Sequence, residues 1–167
     1  MESLINPIYL DGFARIMVAA LLGMAIGLER SIAQKTAGIR TYSLISLGAA
    51  LFVVISEYVV TTFHAAGVTT FDPLRVAAQI VSGIGFVGAG LVLTRENSRI
   101  KGLTTAAGLW VSAGVGMAAG FGLYAIAVFA TILVLFVFSI LWYVDRKYLN
   151  FQLFNRLDNN RSRVVSF

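Results

Sequence analysis

The sequence contains no cysteine and a single histidine, His64. Without thiols there are no disulfides, thiolate metal sites or cysteine nucleophiles, and one histidine leaves imidazole-rich metal sites and serine–histidine triads almost nothing to build on. Charge is scarce as well: 13% of the 167 residues are Asp, Glu, Lys or Arg, about half of the roughly 25% usual in soluble domains. Apolar residues take its place, at 58% of the chain. A soluble domain cannot hide so much, since a chain of about 150 residues buries only about 70% of the surface it exposes when unfolded. Lipid is therefore the expected solvent. The apolar content, and the lack of a Gly-X-Y or long heptad pattern, exclude disordered, collagen-like and coiled-coil classes.

A helix needs about 20 apolar residues to cross the hydrocarbon core. Five runs of that order occur, at residues 8–28, 39–60, 74–93, 103–120 and 123–144. The expected fold is thus an all-α polytopic membrane protein with five transmembrane helices in one domain, 1–144, and a short tail, 145–167. The first run is read as a retained helix, because Glu2 and Asp11 stand where a signal peptide has a basic cluster and no small-residue cleavage pattern follows. Placing the N-terminus outside puts every lysine and arginine except Arg15 and Arg75 on the inner side, as cytoplasmic loops require, and makes the C-terminus cytoplasmic. The net charge of +5 is then a consequence of topology, so no nucleic-acid partner is expected; anionic lipid headgroups are. The tail mixes Trp142, Tyr143, Tyr148, Phe151 and Phe154 with Arg146 and Lys147, the composition of an interfacial helix on the inner leaflet.

Gly27-Leu28 and Gly90-Leu91 precede two inner loops, and Gly38-Ile39-Arg40-Thr41 and Gly102-Leu103-Thr104-Thr105 follow them. Both signatures recur at an offset of 63 to 64 residues, which raises a parallel repeat of helices 1–2 in helices 3–4, a layout known in transporters. Chance remains the alternative, because glycine is common at helix ends.

On the third helix Arg75, Gln79, Ser82, Phe86 and Ala89 fall on one stripe, with Gly83, Gly85, Gly88 and Gly90 close by. On the fourth, Thr105, Gly108, Ser112, Gly116 and Ala119 form a stripe of small and hydroxylated residues. Such faces are expected to meet other helices, since small residues let backbones approach and hydroxyls bond across the contact; a polar path is the competing reading. Gly83, Gly85 and Gly88 also spell GxGxxG, but inside an uncharged span with no strand before them, so nucleotide binding is rejected.

Asp72-Pro73 reads as the start of the third helix, with aspartate capping the free amides and Arg75 placed to pair with it. Glu29-Arg30, at the inner end of the first helix, is expected to face Gly38, Arg40 and Thr41 across a ten-residue loop. That cluster is a structural ion pair, a partner contact or half of a cation site. Magnesium is commonly held by one or two carboxylates, so Glu29 with Glu96, or Glu57 with Asp72, would suffice for a weak site. No other cofactor is expected, and neither is enzyme action, because no nucleophile and base stand at recognisable spacing.

The residues at this point resemble the MgtC/SapB family of bacterial inner-membrane proteins. The resemblance rests on Gly27-Leu28-Glu29-Arg30, on Gly38-Ile39-Arg40-Thr41, on the run from Asp72 through Gln79 and Ser82 to Gly90, and on the run from Lys101 through Thr104 and Thr105 to Trp110, about 130 residues in order and spacing. It implies a five-span domain in the bacterial plasma membrane, a link to growth under magnesium limitation and, in pathogenic members, to survival inside host cells. Two actions are implied for the family, magnesium transport and regulation of other membrane machinery, including the F-type ATP synthase. Many members carry a cytosolic C-terminal domain, whereas only 23 residues follow Val144 here. Some have asparagine where Thr104 stands and cysteine where Val111 stands, so a role needing those groups does not carry over. The sequence leaves two functions open: a regulator acting through contacts with itself or with other membrane proteins, or a transporter or channel for magnesium or another cation.

Overall fold

A computed structural model of the chain describes residues 7–65, 72, 74–92, 95–96, 99–100 and 102–140, with side chains described for 9–63, 72, 74–92 and 102–140. The expected tail, the side chain of His64 and that of Glu96 lie outside this set. The elements run α1 (Pro7–Ile32), α2 (Ile39–Ala65), α3 (Leu74–Val92), β1 (Arg95–Glu96), β2 (Arg99–Ile100), α4 (Leu103–Gly120) and α5 (Tyr124–Ile140). The first four helices are long and apolar enough to cross a membrane; α5 is apolar and shorter, and residues 141–144 of its expected span fall outside the described ones.

The fold is all-α as expected, with one two-residue antiparallel ladder between α3 and α4, in which Arg95 faces Ile100 and Glu96 faces Arg99. Two residues on each side carry no readable period, and the pairing follows from a short loop doubling back.

The turns are set by local chemistry. Asp72 accepts the Leu74 amide at 3.0 Å through Oδ1 and so caps α3. After α1 the chain reverses through Gln34 in the left-handed region, φ 51°, with Lys35 N–H bonded to Arg30 C=O and Gln34 N–H to Ser31 C=O. The same Schellman pattern closes α4, where Gly122 takes φ 73° and the amides of Gly122 and Leu123 bond back to Ala119 and Ala118.

By compactness the chain falls into two units, Met1–Val134 and Leu135–Phe167. Of the second, residues 135–140 are described, and they are helical. The core of the first unit is small-residue packing. Helices α1 and α2 pair closely, α3 pairs with α4, and α2 and α1 both lie on α4, while α2 and α3 meet sparsely. Ala49, Ala50 and Val53 of α2 are buried with Leu109, Ala113 and Ala119 of α4. Gly116 lies directly on the Ser46 backbone, and a side chain at Gly120 would stand 2.9 Å from Val53 and 3.0 Å from Ala50. Where lipid supplies no hydrophobic drive between helices, this close approach and hydroxyl–carbonyl bonds supply the cohesion. Ser46 Oγ donates to Ala19 C=O at 2.7 Å, and Ser112 Oγ to Tyr42 C=O at 3.1 Å.

Candidate functional site

A charge cluster sits toward each end of α1, Arg15 and Glu29 being about 21 Å apart at 1.5 Å per residue. At the first, Asp11 and Arg15 stand one helical turn apart on α1 and pair at 2.5 Å. The same guanidinium reaches Glu57 of α2, also at 2.5 Å, and donates to Gly120 C=O at 3.1 Å. Gly120 ends α4, where the helix dipole is negative, so a cation there satisfies carbonyls that lack partners within the helix. Tyr9 and Tyr58 add a hydroxyl–hydroxyl bond of 2.9 Å between α1 and α2. One arginine therefore ties three helices.

At the other end Glu29 and Arg30 form a bidentate pair, Nε to Oε2 at 2.5 Å and Nη2 to Oε1 at 2.9 Å. Arg30 is only 3% exposed, a charge sunk into the bundle. Beside it stands Tyr42, fully buried and close enough to feel both charges. Its hydroxyl donates to Thr105 C=O at 3.4 Å, joining the first turn of α2 to that of α4. Those two residues are 63 apart, the offset at which the Gly-Leu signature recurs, and one less than that of the Gly-x-x-Thr signature. The glycine contacts of the two halves differ, for Gly27 packs on the backbone of Gly38 and Ile39 while its counterpart Gly90 has open space. A side chain on Gly27 would meet the Ile39 backbone at 2.6 Å, and one on Gly102, φ 95°, would meet Leu91 C=O at 2.9 Å. The Ile39 amide is capped by Ser31 Oγ at 2.9 Å.

The remaining candidates divide sharply. Arg40 and Thr104 are exposed, Thr41 is half-buried and Trp110 is 52% exposed, so these do not gather on Glu29. Glu29 has taken its sequence neighbour Arg30 instead of Arg40. Arg75 and Asp72 are both exposed, and no ion pair forms between them among the described residues, because the Asp72 carboxylate faces the Leu74 amide. Gln79 and Ser82 are exposed too. Gly108 and Gly116 are buried, Gly88 has Ala106 Cβ at 3.6 Å, and Gly83, Gly85 and Gly90 have open space where a side chain would go. Tyr42 and the Arg15–Asp11–Glu57 group were not singled out from sequence; the four-residue spacing of Asp11 and Arg15 was the one local signal for the latter.

A hard cation needs anionic oxygens free to face it. Glu29 spends both carboxylate oxygens on Arg30, and Glu57 spends one on Arg15. Asp72 caps a helix. Glu57 and Asp72 each keep a second carboxylate oxygen outside these contacts, and the side chain of Glu96 lies outside the described residues.

Four long apolar helices, held by small-residue contacts and pinned by charges toward their ends, define a polytopic all-α membrane protein. The model of the MgtC family matches residues 16–147, and the chain belongs to that family. Among named relatives, Protein MgtC of Salmonella typhimurium is 47% identical over 120 residues, 72% of this chain and 48% of that one. YhiD of Escherichia coli K12, whose name proposes magnesium transport, is 41% identical over 126 residues, 75% of this chain and 58% of that one. Protein SapB of Bacillus subtilis is 39% identical over 97 residues, 58% and 42% of the two chains. The chain thus spans about half the length of the curated relatives it matches. No solved structure matches it.

Proposed function

We propose that the chain is a regulatory protein of the bacterial inner membrane, linked to magnesium homeostasis, that acts through contacts with other membrane proteins and not by catalysis. The observation that carries this reading is the state of its carboxylates. Glu57 is paired with Arg15, which ties three helices, Glu29 is paired with its neighbour Arg30, and buried hydroxyls of Ser46, Ser112 and Tyr42 are spent on backbone carbonyls of neighbouring helices. These groups brace a bundle; they do not line a path for an ion. Exposed Arg40, Thr104 and Trp110 are left for a partner. The resemblance brings the F-type ATP synthase as one such machine. In this proposal five helices span, the N-terminus is outside and the C-terminus cytoplasmic, so Arg40 and the Glu29 cluster face the cytosol.

Inverted membrane vesicles test it. ATP-driven proton pumping is expected to be slower in vesicles carrying the chain than in vesicles without it, with the effect weakened by Arg40→Glu at equal protein level. Equal pumping in all three would refute regulation of that machine. A cation transporter is the second reading, favoured by the name of the YhiD relative, and the flux measurement that closes the Discussion separates the two.

A further inference from the structure

Helix α3 faces the wrong way for a single chain in lipid. Its buried residue is Ile84, with Gly88 and Leu91 half-buried nearby, so this side packs on the bundle. At 3.6 residues per turn the opposite side carries Asp72, Arg75, Gln79, Ser82, Phe86 and Ala89, and all six are exposed. Phe86 is the extreme, at 84%. Polar side chains within a span ordinarily face the protein interior, because lipid offers them no partner. Here a guanidinium and an amide stand exposed at the lip of an open groove beside α2, and a hydroxyl stands exposed on the same stripe.

The spacing of the six residues suits a second helix laid along them. They follow one another at intervals of 3, 4, 3, 4 and 3, the a and d positions of a heptad, the seam along which two parallel helices pack with a left-handed twist. We propose that α3 is the self-association surface of the chain, paired in parallel and in register with α3 of a second copy inserted in the same direction. About a two-fold axis along the membrane normal each residue meets its own height in the other copy. Gln79 then meets Gln79, and each amide has both a donor and an acceptor to offer. Arg75, which has no ion pair among the described residues, meets the other copy's Arg75 in this register and lies one layer from its Asp72, so each guanidinium has a carboxylate across the seam to offset that repulsion. Ser82 and Ala89 keep the backbones close, and the open space over Gly83 and Gly90 takes the bulk of Phe86. An apolar groove of about 570 Å³ between α2 and α3, lined among others by Gly48, Gln79 and Gly83, continues this uncovered surface. This pairing holds whether or not a further partner is contacted elsewhere.

The natural absence of cysteine allows a direct test on the full chain in its own membrane. Single variants Ser82→Cys and Ala89→Cys are oxidised in membrane vesicles, with Phe129→Cys on the exposed face of α5 as the collision control. A disulfide-linked band at twice the 18.0 kDa chain mass, from either seam position and not from Phe129→Cys, is the expected result. No such band from both seam variants, or equal bands from all three, overturns the proposal. The mass of the unmodified protein extracted in mild detergent is the second readout: two chains are expected, and one chain with co-purified phospholipid would assign the face to lipid and overturn it likewise.

Discussion

Gly116→Ala adds one methyl group at the tightest point of the α2–α4 interface. The new Cβ would fall on the carbonyl oxygen of Ser46, with the carbonyl carbon at 2.7 Å and Ser46 Cα at 2.8 Å. All three are backbone atoms, so no rotamer change relieves the contact. Restoring an ordinary carbon separation of about 3.5 Å requires α2 and α4 to part by about 1 Å along that line. Overpacking of this kind costs about 1–3 kcal/mol. The bonds from Ser112 to Tyr42 and from Tyr42 to Thr105 cross the same interface, each worth about 1 kcal/mol if lost. At about 2–4 °C per kcal/mol for a chain of this size, the overpacking alone lowers Tm by roughly 2–12 °C. Gly114→Ala, two residues away on the same helix, is the control: nothing lies within 4 Å of its new methyl, and alanine is about 1 kcal/mol better than glycine in a helix. Thermal unfolding of both variants in one detergent checks this. Equal midpoints for the two, or a lower one for Gly114→Ala, would refute the packing argument.

Arg15→Ala frees Asp11, Glu57 and the Gly120 carbonyl together, so it is expected to destabilise the bundle; the carboxylates are half-exposed, and a double-mutant cycle with Glu57→Gln should return a coupling of about 1 kcal/mol or less, while zero coupling would mean the pair is ornamental. Gly102→Ala forces a Cβ into the left-handed region at φ 95° and against Leu91 C=O, at a cost of about 1–2 kcal/mol; an unchanged unfolding midpoint would show that this loop relaxes freely. Asp72→Ala removes the α3 cap and should cost about 1 kcal/mol, with Asp72→Asn close to wild type; equal losses in both would point to the charge and not the cap.

Helix starts at 39, 74 and 103 were legible in the sequence because glycine, Asp-Pro and charge punctuate uninterrupted apolar runs. Periodicity also placed Arg75, Gln79, Ser82, Phe86 and Ala89 on one face. It did not say which way that face points, since a 3.6-residue period has no inside or outside; only the position of Ile84 against the bundle decides it. The link between Arg15 and Glu57 joins residues 42 apart, beyond any local pattern. The burial of Arg30 was hidden for a different reason: Glu29-Arg30 was expected to face Gly38, Arg40 and Thr41 across the loop, and adjacent helical residues do not ordinarily face each other. At the last turn of α1 the two side chains nevertheless converge. Tyr42 escaped notice because a tyrosine in an apolar run carries no signal until Thr105 is seen opposite it.

Magnesium flux into proteoliposomes of the purified, correctly inserted chain tests the central claim most directly, with Glu29→Gln alongside. A regulator whose carboxylates brace the bundle gives no flux above protein-free vesicles, from either form. Flux from the wild-type chain that is lost in Glu29→Gln would contradict the account and make Glu29 part of an ion path.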